Sequence, residues 1–331
     1  MSVTIYDVAK HAGVSIATVS RVINEHPSVK SETKKKVFEV IDRLQYQYNA
    51  AAGVLASGRT NTVALVTPNN INPFYAEVAE GIYYEALNKG INIVTTNMSL
   101  NKDNDIPYLN KQNVDGLLLM DMTAKQVAKL NKQVENLVII GNDLLDSKAN
   151  CVITDNFAGI QLAMHYLFEN GHEKVALISE PPIFNDIKDR VRAYQIIMEE
   201  KGFSSYREVI GAKGCEIVDG EQIGERILKD GLNHTAYLVT NDLLAIGVKK
   251  AFEAAGNKVP SDVSIVGFDG SWITNIVYPS LTTIKQPMHE LGSTALTLLL
   301  DLLDSDRTSA RKIVLNPTLQ IGGTVSKINY K

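Results

Sequence analysis

From Thr62 onward the chain repeats one rhythm: a short unbroken apolar run, then a segment with helical spacing, then another apolar run. "TVALVT" precedes "PFYAEVAEGIYYEALNKG", and "INIVTT", "VDGLLLM", "TAKQVAKLNKQ" and "LVIIG" follow. After "CVIT" the alternation restarts with "NFAGIQLAMHYLFENGH", "KVALIS", "KDRVRAYQIIMEEKG", "REVIG", "GEQIGERILKDG", "TAYLVT", "NDLLAIGVKKAFEAAG" and "DVSIVGF". A strand that is apolar at every position is buried on both faces, and strands joined by helices run parallel. The pattern predicts an α/β core of parallel sheets covered by helices. Because it runs twice, it predicts two sheets and hence two lobes. Ligands of such sheets sit beyond the carboxyl ends of the strands, so two facing lobes would enclose a cleft there.

The first 48 residues have only helical spacing. "VTIYDVAKHAG" puts Ile5, Val8 and Ala9 on one face, with Ala12 a turn later and Gly13 as the stop. Ser15 can cap a second helix, "SIATVSRVI", whose inner face is Val19 and Val22. A third, "SETKKKVFEVIDRLQY", turns Val37, Val40, Ile41 and Leu44 inward. Ala9, Gly13 and Val19 hold the positions that a helix-turn-helix restricts: a small residue where the helices touch, a turn glycine, and an apolar tie between them. The second helix of such a unit lies in the DNA major groove with its N-terminal residues at base edges. Ile16, Ala17 and Arg21 point outward from it. Arg21 can reach guanine or phosphate, and Ile16 and Ala17 can touch thymine methyl groups. Thr4, Ser15, Thr18, Ser20 and Asn24 complete the contacts expected of this unit.

Charge separates the two parts. Residues 1–60 hold eight Lys/Arg and five Asp/Glu, a net +3, within a chain of net −4, so the remainder carries −7. A basic front on an acidic body means that the front alone meets a polyanion, with "TKKK" as a source of phosphate contacts. Between the parts, "NAAAGVLAS" is too short for a stable isolated helix. It is expected to fold as a hinge helix on DNA, with Asn49 and Ala52 at the duplex and Leu55 wedged into a minor-groove step. The domains expected are therefore 1–48, the hinge and linker 49–60, and a two-lobed core 61–331. The first lobe takes about 61–160 and 290–320, and the second about 161–289 and 321–331.

Other functions find little support. Cys151 and Cys215 have neither metal-ligand spacing nor a disulfide framework. The N-terminus lacks a signal pattern and no apolar run approaches a membrane span, which predicts a cytoplasmic protein. Six scattered histidines, no phosphate-binding glycine loop and no Gly-x-Ser-x-Gly elbow argue against an enzyme, a metal or a cofactor. A solute-binding protein for transport is the competing reading of the core.

The motifs "TIYDVAKHAGVSIATVSRVIN", "YNAAAGVLAS", "NPFYAEVAEGI", "DRVRAY", "TNDLLAIGV", "DVSIVGFD" and "PSLTTIKQP" occur in this order along essentially the whole chain. In them the chain resembles the lac-repressor/gal-repressor family. The resemblance implies a homodimeric transcription repressor that reads a palindromic operator. It also implies a core like a periplasmic sugar-binding protein, with a small effector, a sugar or sugar phosphate, between the lobes. By the same resemblance Arg190 is the effector-binding arginine, Asp269 the carboxylate after a Gly-Phe pair, and Asn241 the polar residue ending its strand. Phe74 lies in the "NPFY" loop, and Asn142, Asp219 and Gln286 are further effector-site candidates. Lys188 near Arg190 could add a phosphate contact. The chain departs from the family pattern at Tyr48 and Gly53 in the hinge, at Ala193, at Gly270 after "GFD", and in a shortened "NKDNDIPYLNKQNVDG". Its C-terminal end lacks apolar heptads, so a leucine-zipper tetramer is not expected.

Overall fold

The computed structural model describes residues 3–23, 28–46, 59–69, 71–97, 113–131, 134, 136–144, 149–304 and 309–328. Asn24 and the hinge residues Asn49, Ala52 and Leu55 lie outside them. The chain divides into two compact units, Met1–Thr60 and Asn61–Lys331.

The first unit holds α1 (Ile5–Ala12), α2 (Ile16–Ile23) and α3 (Ser31–Leu44). Asp7 accepts the backbone N–H of Thr4 at 2.9 Å and its hydroxyl at 2.7 Å, which fixes the start of α1. Gly13 ends that helix at φ 65°, a left-handed conformation that costs glycine nothing. Val8, Ala9 and Ala12 of α1, Val19 and Val22 of α2, and Val37 and Val40 of α3 form one buried cluster. Three helices this short are stable through such packing rather than through propensity.

The second unit contains two six-stranded sheets. The first has the order β11-β5-β4-β3-β1-β2, built from β1 (Thr62–Thr67), β2 (Asn92–Asn97), β3 (Gly116–Met120), β4 (Leu137–Ile140), β5 (Asn150–Thr154) and β11 (Lys312–Leu315), all parallel. The second has the order β12-β10-β9-β8-β6-β7, from β6 (Val175–Ser179), β7 (Glu208–Gly211), β8 (Ala236–Val239), β9 (Ser264–Asp269), β10 (Thr282–Lys285) and β12 (Thr318–Gln320). It is parallel except for the edge strand β12, which runs antiparallel to β10.

Alternate residues of each central strand serve opposite faces. Leu118 and Met120 of β3 join one core cluster, and Leu117 and Leu119 join the other. In the second sheet Leu177 and Leu238 face one way, Ala176 and Tyr237 the other. The helices covering the first sheet include α4 (Pro73–Lys89), α5 (Ala124–Asn131) and α10 (Met288–Leu303). The second sheet carries α6 (Asn156–Glu169), α7 (Asn185–Glu200), α8 (Ile217–Asp230) and α9 (Asp242–Ala254). Helices α4 and α10 touch backbone to backbone: a Cβ on Gly292 would collide with the Val78 carbonyl, and one on Gly81 with that of His289.

The chain changes sheet three times: at Asp155 after β5, at Gln286–Pro287 after β10, and at Asn316–Pro317 after β11. These points lie a few residues from the limits expected near 160, 290 and 320. Helix α6 already packs on the second sheet, α10 packs on the first, and β12 joins the second.

Candidate functional site

Between the lobes lies a cleft of about 370 Å³. Five of its polar groups come from residues at or just past the carboxyl ends of parallel strands: Asp121 after β3, Glu180 after β6, Asn241 after β8, Asp269 ending β9 and Gln286 after β10. Side chains within a central strand are committed to the core, so the first residue free to face a ligand is the one where the strand stops.

Arg190, on the second turn of α7, is only 4% exposed but lines the cleft. Its Nε donates to Asn156 Oδ1 at 2.8 Å, one terminal nitrogen to the Thr240 carbonyl at 2.6 Å, and the other to Asp186 Oδ2 at 3.5 Å. The guanidinium lies over the Phe268 ring, 3.9 Å from its centroid. Three of its five N–H groups are thereby held by protein acceptors, and the charge is fixed in the wall.

Asp269 has φ 125°, a conformation rare for residues with side chains. Gln286 holds it there, donating its Nε2 to Asp269 Oδ1 and its backbone N–H to the Asp269 carbonyl, each at 2.8 Å. Gly270 follows at φ 73°, where a Cβ would run into Lys285. The glycine in place of the family's second acid therefore fits a tight passage beside β10. Asn241 accepts from the Leu244 N–H at 2.8 Å, capping α9, and donates its Nδ2 to Glu180 at 3.0 Å. It is both a helix cap and a member of the lining. Phe74 sits at the start of α4, capped by Asn72, with its ring edge against Tyr75.

Asn142 and Asp219 do not line the cleft. Asn142 is buried between Met122 and Asn185, bonded to both. Asp219 accepts the Glu216 N–H at 3.1 Å and so secures the first turn of α8, while Glu216 itself lines the cleft. Lys188 is also outside the lining and donates to Asn185 at 3.2 Å.

Four acids that the sequence does not single out stand in the cleft: Asp121, Glu180, Asp186 and Glu216. Tyr75 donates its hydroxyl to Asp121 at 2.5 Å. Burial, reinforced by the charges of Asp186 and Glu180, pushes Asp121 up to about 7. Burial also pushes Glu180 up to about 7 against the pull of Arg190. Asp186 is raised by burial, and Asp269 stands well above the usual carboxylate range through burial and the nearby charge of Asp242. The position just past a strand end was the signal that could have found Asp121 and Glu180.

In the first unit, Ser15 accepts the Thr18 N–H at 3.1 Å and caps α2, and its hydroxyl pairs with that of Thr18. Ile16, Ala17 and Arg21 are exposed on that helix, while Ser20 is half-buried. Thr4 is exposed, with its hydroxyl engaged by Asp7. Among the described residues no group of His, Cys, Asp or Glu could hold a metal, and no helix is long and apolar enough to cross a membrane.

Comparison with known proteins places both units. Residues 4–49 match the family of bacterial regulatory proteins, lacI family, and residues 164–325 match a periplasmic binding protein-like domain. Catabolite control protein A of Streptococcus mutans is 35% identical over 330 residues, 98% of this chain and 98% of its own. The transcriptional repressor PurR of Vibrio vulnificus is 30% identical over 332 residues, 98% of this chain and 99% of its own. The lac repressor dimer, solved with operator and the anti-inducer ONPF, has a TM-score of 0.82 at 25% identity, covering 98% of this chain and 100% of that one. The regulator CelR, solved with cellobiose, has a TM-score of 0.72 at 27% identity, covering 97% and 99%. These relatives are transcription regulators, not enzymes. This chain belongs to the lacI family of bacterial regulatory proteins and is itself a DNA-binding transcription regulator.

Proposed function

We propose that the protein is a cytoplasmic homodimeric repressor whose affinity for a palindromic operator is set by a small hydroxylated effector, a sugar, in the cleft. The observation that carries this reading is the cleft itself. Its walls come from both lobes, its volume lies within the range of small-molecule sites, and fixed hydrogen-bonding groups stand at strand ends beside the aromatic Phe74. A ligand touching both lobes favours one lobe arrangement over another, which is the requirement for shifting a two-state equilibrium. Cellobiose in CelR and operator DNA in the lac repressor complex support the two halves of the proposal.

The front unit supports the DNA half. Ile16 is 39% exposed and Arg21 is exposed, while Val19 and Val22 of the same helix are fully buried. One face of α2 anchors the helix and the other is free for a major groove. Two such units in a dimer would read two half-sites related by symmetry. The hinge, with Leu55 as wedge, would sit at the operator's centre. The phosphate arm of the effector expectation loses support, because Lys188 is turned to Asn185 rather than into the cleft. A transport solute-binding protein would explain the core but not the DNA-binding unit.

A gel shift on DNA upstream of the protein's own coding region, with and without a panel of sugars, tests the proposal. Retention of the DNA, altered by one sugar, is the expected result. Failure to retain any DNA would leave only the solute-binding alternative.

A further inference from the structure

Five carboxyl groups, Asp121, Glu180, Asp186, Glu216 and Asp269, face a cleft that holds two cationic side chains, Arg190 and Lys213. One of those cations is already committed, since Arg190 is bonded to three protein acceptors and stacked on Phe268. The acids come from both lobes, so they face one another across the space a ligand would fill. Asp121 belongs to the first lobe, and the other four belong to the second.

The hydrogen-bond inventory is unbalanced in the same direction. A carboxylate can accept about four hydrogen bonds. Asp121 receives a side-chain donor from Tyr75 and Asp269 one from Gln286, while Glu180 Oε1 receives Asn241 and Thr240 and Glu216 Oε1 receives Asn69. Asp186, with an 11% exposed side chain, is weakly paired at 3.5 Å through Oδ2, and its buried Oδ1 has no hydrogen-bond partner. The cleft thus holds an excess of acidic groups over cations, which a bound cation would convert to carboxylates. A phosphate ester brings more acceptors and more negative charge. A neutral hydroxyl brings one donor and no charge. An ammonium brings three donors and a positive charge, so it answers both imbalances at once.

We propose that the cleft selects a ligand bearing a protonated amine among its hydroxyl groups, of the amino-sugar kind, and discriminates against phosphorylated sugars. This rests on the effector reading above and narrows its ligand class. The amine sits among Asp121, Glu180 and Asp186, and the hydroxyl-bearing ring lies toward Phe74 and Asp269. Burial is the main cause of the elevated proton affinity of Asp121 and Glu180, and the neighbouring Asp186 adds to it against the pull of Arg190. An aliphatic diamine shares the ammonium and lacks the ring, so it separates charge from sugar shape.

The test uses the full chain at neutral pH. Thermal shift and calorimetry are run with glucosamine, galactosamine and mannosamine, with the matching neutral hexoses and hexose phosphates, and with putrescine. Any ligand bound to the folded cleft raises the melting temperature. At least one hexosamine is expected to bind about tenfold more tightly than its neutral and phosphorylated counterparts, a difference worth about 1.4 kcal/mol. Glu180→Gln and Asp186→Asn should erode that preference, leaving neutral hexose binding the less affected. The proposal is overturned if a neutral or phosphorylated hexose matches or beats its amine, or if no hexosamine shifts the melting temperature at millimolar concentration. Putrescine outcompeting every hexosamine would also overturn the amino-sugar class. The same ligands in the operator gel shift separate the two readings. A phosphorylated effector that alters DNA retention sinks the amine assignment alone, whereas absence of any DNA binding sinks the repressor reading.

Discussion

The side-chain oxygen of Asn142 accepts the backbone N–H of Asn185 at 3.1 Å, from the first lobe to the second. The Nδ2 of the same residue donates to the Met122 carbonyl at 3.1 Å, so the amide is anchored in one lobe and holds the first turn of α7 in the other. Arg190 lies on that helix, and the clasp therefore helps set the distance between the arginine and the first lobe's Asp121.

Asn142→Ala should strand the Met122 carbonyl and the Asn185 N–H. Leaving buried polar groups unsatisfied costs about 1–3 kcal/mol each, so a loss of about 2 kcal/mol in urea unfolding is expected. A cleft ligand should also bind more weakly, because the clasp no longer holds the two lobes as they stand here. An unchanged unfolding midpoint would mean that the two lobes do not depend on this contact.

The buried acids give the fold a definite pH dependence. Asp121 rises from 3.8 to about 7 and Glu180 from 4.5 to about 7 in the folded protein. A group with a raised folded value favours the fold when protonated. That contribution is full below the unfolded value and is lost as pH climbs through the folded one. The melting temperature should therefore fall between about pH 4 and about pH 7. Asp121→Asn keeps an oxygen to accept from Tyr75 and removes the charge, so it should flatten this slope and raise stability at the alkaline end. A variant that melts with the wild-type slope would assign the pH dependence elsewhere.

On the DNA side, Arg21→Ala should weaken specific binding by roughly 1–3 kcal/mol if the side chain forks a guanine. Equal loss on operator and random DNA would reassign it to phosphate. Leu55→Ala is expected to reduce operator bending with little change in effector affinity, and gel mobility of permuted fragments would read this directly.

Gly292→Ala would drive a methyl group into the Val78 carbonyl where α4 and α10 meet. The helices must then separate, and a loss of about 1–3 kcal/mol is expected from overpacking. A circular-dichroism melt equal to wild type would show that this contact yields without cost.

Much of the architecture was legible because strand burial writes itself as unbroken apolar runs. The strands from Thr62 to Asp269 were readable in this way, and Val8, Ala9, Val19 and Val22 exposed the packing of the front helices. Strands β10 to β12 were not assigned. They are short, β11 and β12 lie at sheet edges, and "KIVL" carries no double-sided burial to mark it. At the site, Arg190, Asp269, Asn241, Gln286 and Phe74 came from resemblance, and the structure gathers all five at one cleft. Asn142 and Asp219 share their chemistry but do not line the cleft. A one-residue difference in where a strand or helix begins decides whether an amide or carboxylate meets ligand or backbone. Asp121, Glu180 and Asp186 escaped notice because an isolated acid in sequence resembles any surface acid. Only the fold converts them into neighbours.

The three changes of sheet have a consequence for how the chain comes off the ribosome. Neither lobe is a continuous stretch. The first lobe awaits α10 and β11, and the second awaits β12, so they reach completion only after residues 315 and 320, respectively, have been made. Until α10 is made α4 has no partner for its glycine face, and until β11 is made the edge of β5 lies open for pairing with whatever strand is near. The DNA-binding unit, by contrast, is finished within its first 46 residues, with its own closed core. During synthesis the DNA-binding unit can therefore be folded while neither sheet of the body is yet complete. The order of completion separates in time the folding of the DNA-binding unit from the assembly of the body.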